Sequence, residues 1–237
     1  MADFVMREAK YCVNGPMAVI YVGTSLGVDQ HTELGDVVVS NQGFSVMTDF
    51  DSLFDSQAKQ KYILSDAIQA DDTLSGLLKE FIKKSLHNPK SCKSGLNGST
   101  DSYYASQWRI DQKFDDQNHD LYSEIIAKYP DVKTLDMEQY AILGLAQQSF
   151  NNSIHAASIS IVTDIIKTKQ SSLMFKDKTD ESKLDDGALA EIEDLVGYGC
   201  LKTLVNYDFQ EGEPMFTVEM IKNIKANENE LKGSIAE

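Results

Sequence analysis

Long apolar runs, paired cysteines and positive charge are all scarce in this sequence, and each shortage removes a class of protein. No apolar stretch approaches the roughly 20 residues that a membrane-spanning helix needs. The first ten positions carry Asp3, Arg7 and Glu8 where a secretory leader requires an apolar segment. The three cysteines, Cys12, Cys92 and Cys200, are odd in number and widely spaced, with no Cys-x-x-Cys pair. They read as reduced core thiols of an intracellular, cytoplasmic protein, not as a disulfide framework or a metal set. The 22 basic residues are outnumbered by 37 acidic ones, a formal net charge of -15. A surface of that sign repels phosphate backbones and anionic bilayers, so neither nucleic acid nor membrane is an expected partner.

Several catalytic signatures are missing too. His31, His87, His119 and His155 do not pair at helical spacing, and no Gly-x-Ser-x-Gly elbow is present, so a histidine metal site and a serine hydrolase lack support. Neither Gly-x-Gly-x-x-Gly nor Gly-Lys-Ser/Thr occurs, which leaves dinucleotide and triphosphate binding without a warrant. Asp49, Asp51 and Asp55 lack the glycine turn and closing glutamate of a calcium loop. No metal is expected, and no internal repeat is visible.

What remains is a chain of 237 residues, 42% hydrophobic and 25% charged, long enough for one sizeable core. The expected organisation is a single α/β domain over residues 1–210, followed by an acidic tail, 211–237, with a short helix around Val218 to Ile224. Phe4, Val5, Ala9 and Cys12 recur at helical spacing, and Asn14-Gly15-Pro16 ends that helix. Met17 to Val22 is a continuous apolar run of the kind buried on both faces of a parallel sheet. Gly23-Thr24-Ser25 follows, either an ordinary tight turn or the edge of a ligand crevice at a strand's carboxyl end.

Further along, Val37 to Ser40 starts a strand that continues past Gly43 to Met47, and Thr48 to Asp66 is a polar surface excursion. A helix from Asp71 or Asp72 to Leu86 carries Leu74, Leu77, Leu78, Phe81 and Ile82 on one stripe. The spacing then predicts a helix over Asn118 to Tyr129, a short strand from Lys133 to Asp136 and a helix over Met137 to Gln148. A buried strand from Ile154 to Val162 and a long helix from Gly187 to Tyr207 complete the domain.

The stretch from Gly95 to Ala146 carries the chemistry. Tyr103, Tyr104, Gln107 and Arg109 fall within seven residues, and Asp136, Met137 and Glu138 open a helix. A glutamine offers an acceptor and donors, and an arginine offers a rigid fork of donors, so the two together match the alternating carbonyl and N–H edge of a pyrimidine. A tyrosine ring can cover its face, and an ionised glutamate suits a vicinal diol. A solvated Gln-x-Arg loop and an ordinary packed Tyr-Tyr pair are the competing readings. Asp136 can equally cap the first amides of the helix that follows.

Three blocks together resemble the nucleoside phosphorylase superfamily, and specifically its uridine phosphorylase-like branch. They are GPMAVIYVGTSLG from Gly15 to Gly27, STDSYYASQWRID from Ser99 to Asp111, and TLDMEQYA from Thr134 to Ala141. The resemblance implies a three-layer α/β/α fold with a central mixed, mostly parallel sheet. It also implies phosphorolysis of a nucleoside to free base and ribose 1-phosphate, with inorganic phosphate as co-substrate and no organic cofactor. By the same resemblance Tyr103, Gln107 and Arg109 bind the base, Met137 and Glu138 hold the ribose, and Gly23 and Thr24 meet phosphate or ribose. Asp164 in Thr163-Asp164 resembles the general acid of the purine branch, and is otherwise a helix cap. The polar stretch from Gln170 to Asp186 corresponds to a region that can cover the base.

The sequence departs from the family pattern in two places. The family's opening strands, with a Gly-Asp-Pro-x-Arg phosphate turn, would precede Asp3, so the fold is expected to be truncated at its N-terminus. The family also commonly has an arginine two residues before the glycine of its Gly-Thr turn, where this chain has Tyr21. The expected consequence is either a homo- or hetero-oligomer that covers the missing part, or a non-catalytic nucleoside-binding or scaffold descendant acting through partner proteins.

Overall fold

A computed structural model describes residues 2–109, 113–165 and 183–209. Most of the stretch expected to cover the base, and the acidic tail, therefore lie outside the described residues. The elements are helix α1 (Ala2–Cys12), β1 (Met17–Gly27), β2 (Val37–Thr48), α2 (Phe50–Leu53), β3 (Tyr62–Leu64), β4 (Ile68–Gln69) and α3 (Asp72–Ser85). They continue as β5 (Cys92–Thr100), α4 (Leu121–Lys128), β6 (Val132–Asp136), α5 (Gln139–Gln147), β7 (Ile154–Ile165) and α6 (Asp186–Asn206).

The apolar run that begins β1 pairs in parallel with β7 from Met17↔Ile154 to Gly27↔Ile165. Likewise β2 runs parallel to β5 from Val37↔Cys92 to Val46↔Thr100, and β5 runs parallel to β6. The antiparallel contacts are shorter: β1 with β6, β2 with β7, and the small strands β3 and β4 along β2. The sheet is mixed and mostly parallel, as expected. It also closes on itself, because neighbours run β2, β5, β6, β1, β7 and back to β2.

Helices cover this sheet with their apolar stripes. Leu74, Leu78 and Ile82 of α3 and Val196 and Cys200 of α6 pack on Val37, Val39, Ile159 and Ile161. Burying each of these large aliphatic side chains contributes about 1.5–3 kcal/mol. Leu121 and Ile125 of α4 join Phe44, Leu96 and Leu135, while Met6 of α1 meets Ile142, Leu143 and Ala146 of α5. The starts of α3 and α6 are fixed by side chains: Asp71 accepts from the Leu74 amide at 2.7 Å, and Asp185 from the Gly187 amide at 2.9 Å. Among the described residues no helix is long and apolar enough to cross a membrane.

Three elements differ from expectation, and the first is β7, which runs to Ile165 where the sequence put its end at Val162. β1 does not stop at Val22: Gly23, Thr24 and Ser25 continue it opposite Ser160, Ile161 and Val162, because β7 offers a parallel ladder along that whole length. β5, with the sequence CKSGLNGST, has no apolar alternation, yet it forms a central strand whose polar side chains are consumed by its neighbour β6.

Candidate functional site

The loop after β5 is folded tightly by its own polar groups. Asp101 accepts from the Thr48 amide at 2.7 Å and from the Ser106 hydroxyl, and the Arg109 amide donates to the Tyr104 carbonyl at 2.9 Å. Trp108 adopts φ 55°, a left-handed conformation that is strained for a bulky side chain. It is held there by stacking on Tyr122, with ring centroids 4.5 Å apart, and by donation from Nε1 to the His119 carbonyl at 3.3 Å. This reversal brings Arg109 inward beneath Tyr103.

Arg109 sits at the centre of a first group of contacts. Its Nε donates to Gln107 Oε1 at 3.2 Å, its Nη1 donates to Asp164 Oδ2 at 2.6 Å, and the Tyr103 ring centroid lies 4.1 Å from the guanidinium carbon. The two ionic side chains are 8% and 16% exposed, so this is a charge-assisted bond out of bulk water. Gln107 Nε2 donates to Thr100 Oγ1 at 3.2 Å. Tyr103 itself is half-exposed and forms an edge contact with Tyr104.

Thr100 connects this group to the next, because its hydroxyl donates to the Asp136 carbonyl at 2.9 Å. Asp136 is buried; its Oδ1 accepts from Asn97 at 2.8 Å and from Ser99 at 2.6 Å, and its Oδ2 accepts from the Gln139 amide at 3.2 Å. The helix-capping reading of Asp136 is thus what the geometry shows. Burial pushes its carboxyl up to about 6 despite those three donors, and nearby Glu138 pushes in the same direction.

Glu138 stands exposed at the start of α5 and accepts from the Tyr21 hydroxyl at 2.9 Å. The Tyr21 ring lies across Gly23: a Cβ at that glycine would stand 2.4 Å from the phenol oxygen. Burial, then Asp136 and Glu138, push the phenol's pKa well above its ordinary value, so the hydroxyl keeps its proton and remains a donor.

Of the residues singled out from sequence, the structure brings Tyr103, Gln107, Arg109 and Asp164 together, and joins Gly23 and Glu138 through Tyr21. Thr24 and Met137 are exposed and take no part in these contacts. Two hollows, of about 380 Å3 and 350 Å3, are lined by other residues, the first including Asp71, His155 and Tyr207. Those three form a cluster that sequence reasoning missed: His155 Nδ1 is 2.9 Å from Asp71 Oδ2 and 2.7 Å from the Tyr207 hydroxyl. It ties the start of β7 to α3 and to the end of α6, and only the capping position of Asp71 marks it in the sequence. Among the described residues no group of three His, Cys, Asp or Glu side chains is arranged to hold a metal.

The sequence model of the phosphorylase superfamily matches residues 1–191. Among solved structures, one from a study of two uridine phosphorylases of the oomycete Phytophthora capsici is 27% identical with a TM-score of 0.73, covering 88% of this chain and 73% of that one. A nucleoside phosphorylase of Trypanosoma brucei that shows uridine phosphorylase activity is 12% identical with a TM-score of 0.57, over 80% of this chain and 64% of that one. A 5′-methylthioadenosine/S-adenosylhomocysteine nucleosidase of Neisseria meningitidis, bound to methylthio-immucillin-A, is 20% identical with a TM-score of 0.53, over 85% and 74%. The latter two likenesses concern the fold alone. Among curated proteins no match is found.

Proposed function

The chain belongs to the phosphorylase superfamily, and from that premise we propose that it acts on a pyrimidine nucleoside in the manner of a uridine phosphorylase, yielding free base and ribose 1-phosphate. The observation that carries this reading is the Arg109 guanidinium beneath the Tyr103 ring, with Gln107 bonded to it. Gln107 and the Nη2 donors of Arg109 meet the carbonyl-rich edge of a uracil-like base, and Tyr103 stacks on its face. Glu138 and Met137 hold the sugar, and Gly23 and Thr24 lie where phosphate or sugar approaches.

In the reaction a phosphate oxygen forms a bond to the anomeric carbon while the carbon–nitrogen bond to the base breaks, its electron pair leaving with the base. Charge gathers on the base carbonyls, and donors already aimed there lower the barrier without reorganising. Asp164 orients Arg109 in this reading. The acid role implied by the purine branch addresses a ring nitrogen, N7, that a pyrimidine lacks.

A second reading, nucleoside binding without phosphorolysis, is favoured by Tyr21, a neutral donor already engaged by Glu138. A phosphate dianion that lacks one guanidinium partner loses a bond worth about 1.5–3 kcal/mol. The test is release of uracil from uridine with and without inorganic phosphate, alongside calorimetric binding of uridine. Phosphate-dependent release supports the enzyme; saturable binding without release supports the second reading; the absence of both is incompatible with a nucleoside site.

A further inference from the structure

We propose that Thr100 is a positioning residue of the base site: it holds the Gln107 amide in the orientation that selects the imide edge of uracil over the edge of cytosine. The inference rests on the reading of Gln107 and Arg109 as the base's partners, and it adds a residue at the end of β5 that acts only through Gln107.

The two ends of a carboxamide differ in which accepts and which donates, so the neighbours fix its orientation. Arg109 Nε carries one hydrogen and cannot accept; the end of the Gln107 amide 3.2 Å from it is therefore the oxygen, Oε1. The other end, Nε2, lies 3.2 Å from Thr100 Oγ1. A hydroxyl can serve either end of an amide, but Thr100 has a single hydrogen and donates it to the Asp136 carbonyl at 2.9 Å, an oxygen that can only accept. The register Ser99↔Asp136 between β5 and β6 keeps that carbonyl in reach. Thr100 thus offers Gln107 a lone pair, which suits Nε2 and repels Oε1.

That orientation decides which base fits. Each amide atom keeps a further bond to make, through a second lone pair on Oε1 and a second hydrogen on Nε2. Counted from the Arg109 side, the guanidinium, Oε1 and Nε2 read donor, acceptor, donor. Uracil reads acceptor, donor, acceptor across O4, N3–H and O2, a match at every position. Cytosine reads acceptor, acceptor, donor across O2, N3 and its amino group, which only a reversed amide would match; turned the other way it still mismatches at two positions. Thr100, Gln107 and Arg109 are all buried, so a mismatch leaves polar atoms unpaired away from water.

The experiment measures uridine and cytidine by calorimetry on the full chain and on its Thr100→Val and Thr100→Ser variants, the first keeping the shape without the hydroxyl and the second keeping the hydroxyl. The wild-type protein is expected to prefer uridine by about a hundredfold or more, the worth of two mismatched hydrogen bonds. Thr100→Val is expected to narrow that ratio by about tenfold, the worth of one, while Thr100→Ser keeps it within about threefold of wild type. Where Thr100→Val fails to fold, Thr100→Ala carries the same expectation. Affinities for both nucleosides that fall together at an unmoved ratio, a ratio narrowed as much by Thr100→Ser as by Thr100→Val, or a wild-type protein that binds cytidine as well as uridine overturns the inference while leaving the base site standing. Absence of saturable heat with either nucleoside in the wild-type protein overturns the base site, and this inference with it.

Discussion

Arg109 Nη1 and Asp164 Oδ2 meet at 2.6 Å across 55 residues of sequence, joining the loop after β5 to the end of β7. The contact holds a cation in place with little exposure, so removing one partner strands the other charge. Arg109→Ala is expected to lower stability by about 3–5 kcal/mol in urea unfolding. In Arg109→Ala/Asp164→Ala the combined loss should fall short of the sum of the single losses by about 0.5–3 kcal/mol. Strict additivity would show that the pair carries no coupling.

Gly23 and Tyr21 form a similar dependence at shorter range. A methyl group at Gly23 would stand 2.4 Å from the Tyr21 oxygen and 2.7 Å from its ring, so the ring must leave its bond to Glu138. Gly23→Ala is expected to cost about 1–3 kcal/mol, as overpacking does. In a Tyr21→Ala background the same substitution should cost little. An equal cost in both backgrounds would place the strain in the backbone and not in the ring.

Asp136 gives the pH dependence. Its folded-state pKa, about 6, lies above its ordinary value of 3.8, so the folded chain holds the proton more tightly than the unfolded chain. Its contribution is complete below about pH 3.8 and is lost as pH rises through 6, a loss on the order of 3 kcal/mol. Asp136→Asn cannot titrate at this position. The stability of wild type minus that of Asp136→Asn should therefore fall between pH 4 and pH 7; a flat difference would mean that Asp136 ionises as freely folded as unfolded.

What was legible in the sequence follows from how each feature is encoded. The stripe Leu74, Leu78, Ile82 and the run Met17 to Val22 write α3 and the start of β1 locally, so both stand close to where the periodicity puts them. β5 was not legible, because Asn97, Ser99 and Thr100 earn their places by hydrogen bonds to Asp136 and its carbonyl, and such partners leave no periodic mark. Closure of the sheet through β2 and β7 is equally silent, since strands far apart in sequence share no local pattern. In the candidate site Gln107 and Arg109 could be named from residue chemistry. That Asp164 would orient Arg109 and that Tyr21 would occupy Glu138 needed the fold.

The most direct test of the base site is a calorimetric titration of uridine into the wild-type protein and into Gln107→Ala. Saturable single-site binding that weakens about tenfold in the variant, the scale of one buried hydrogen bond, is the predicted result. No saturable heat, or an affinity unchanged by the substitution, would contradict it.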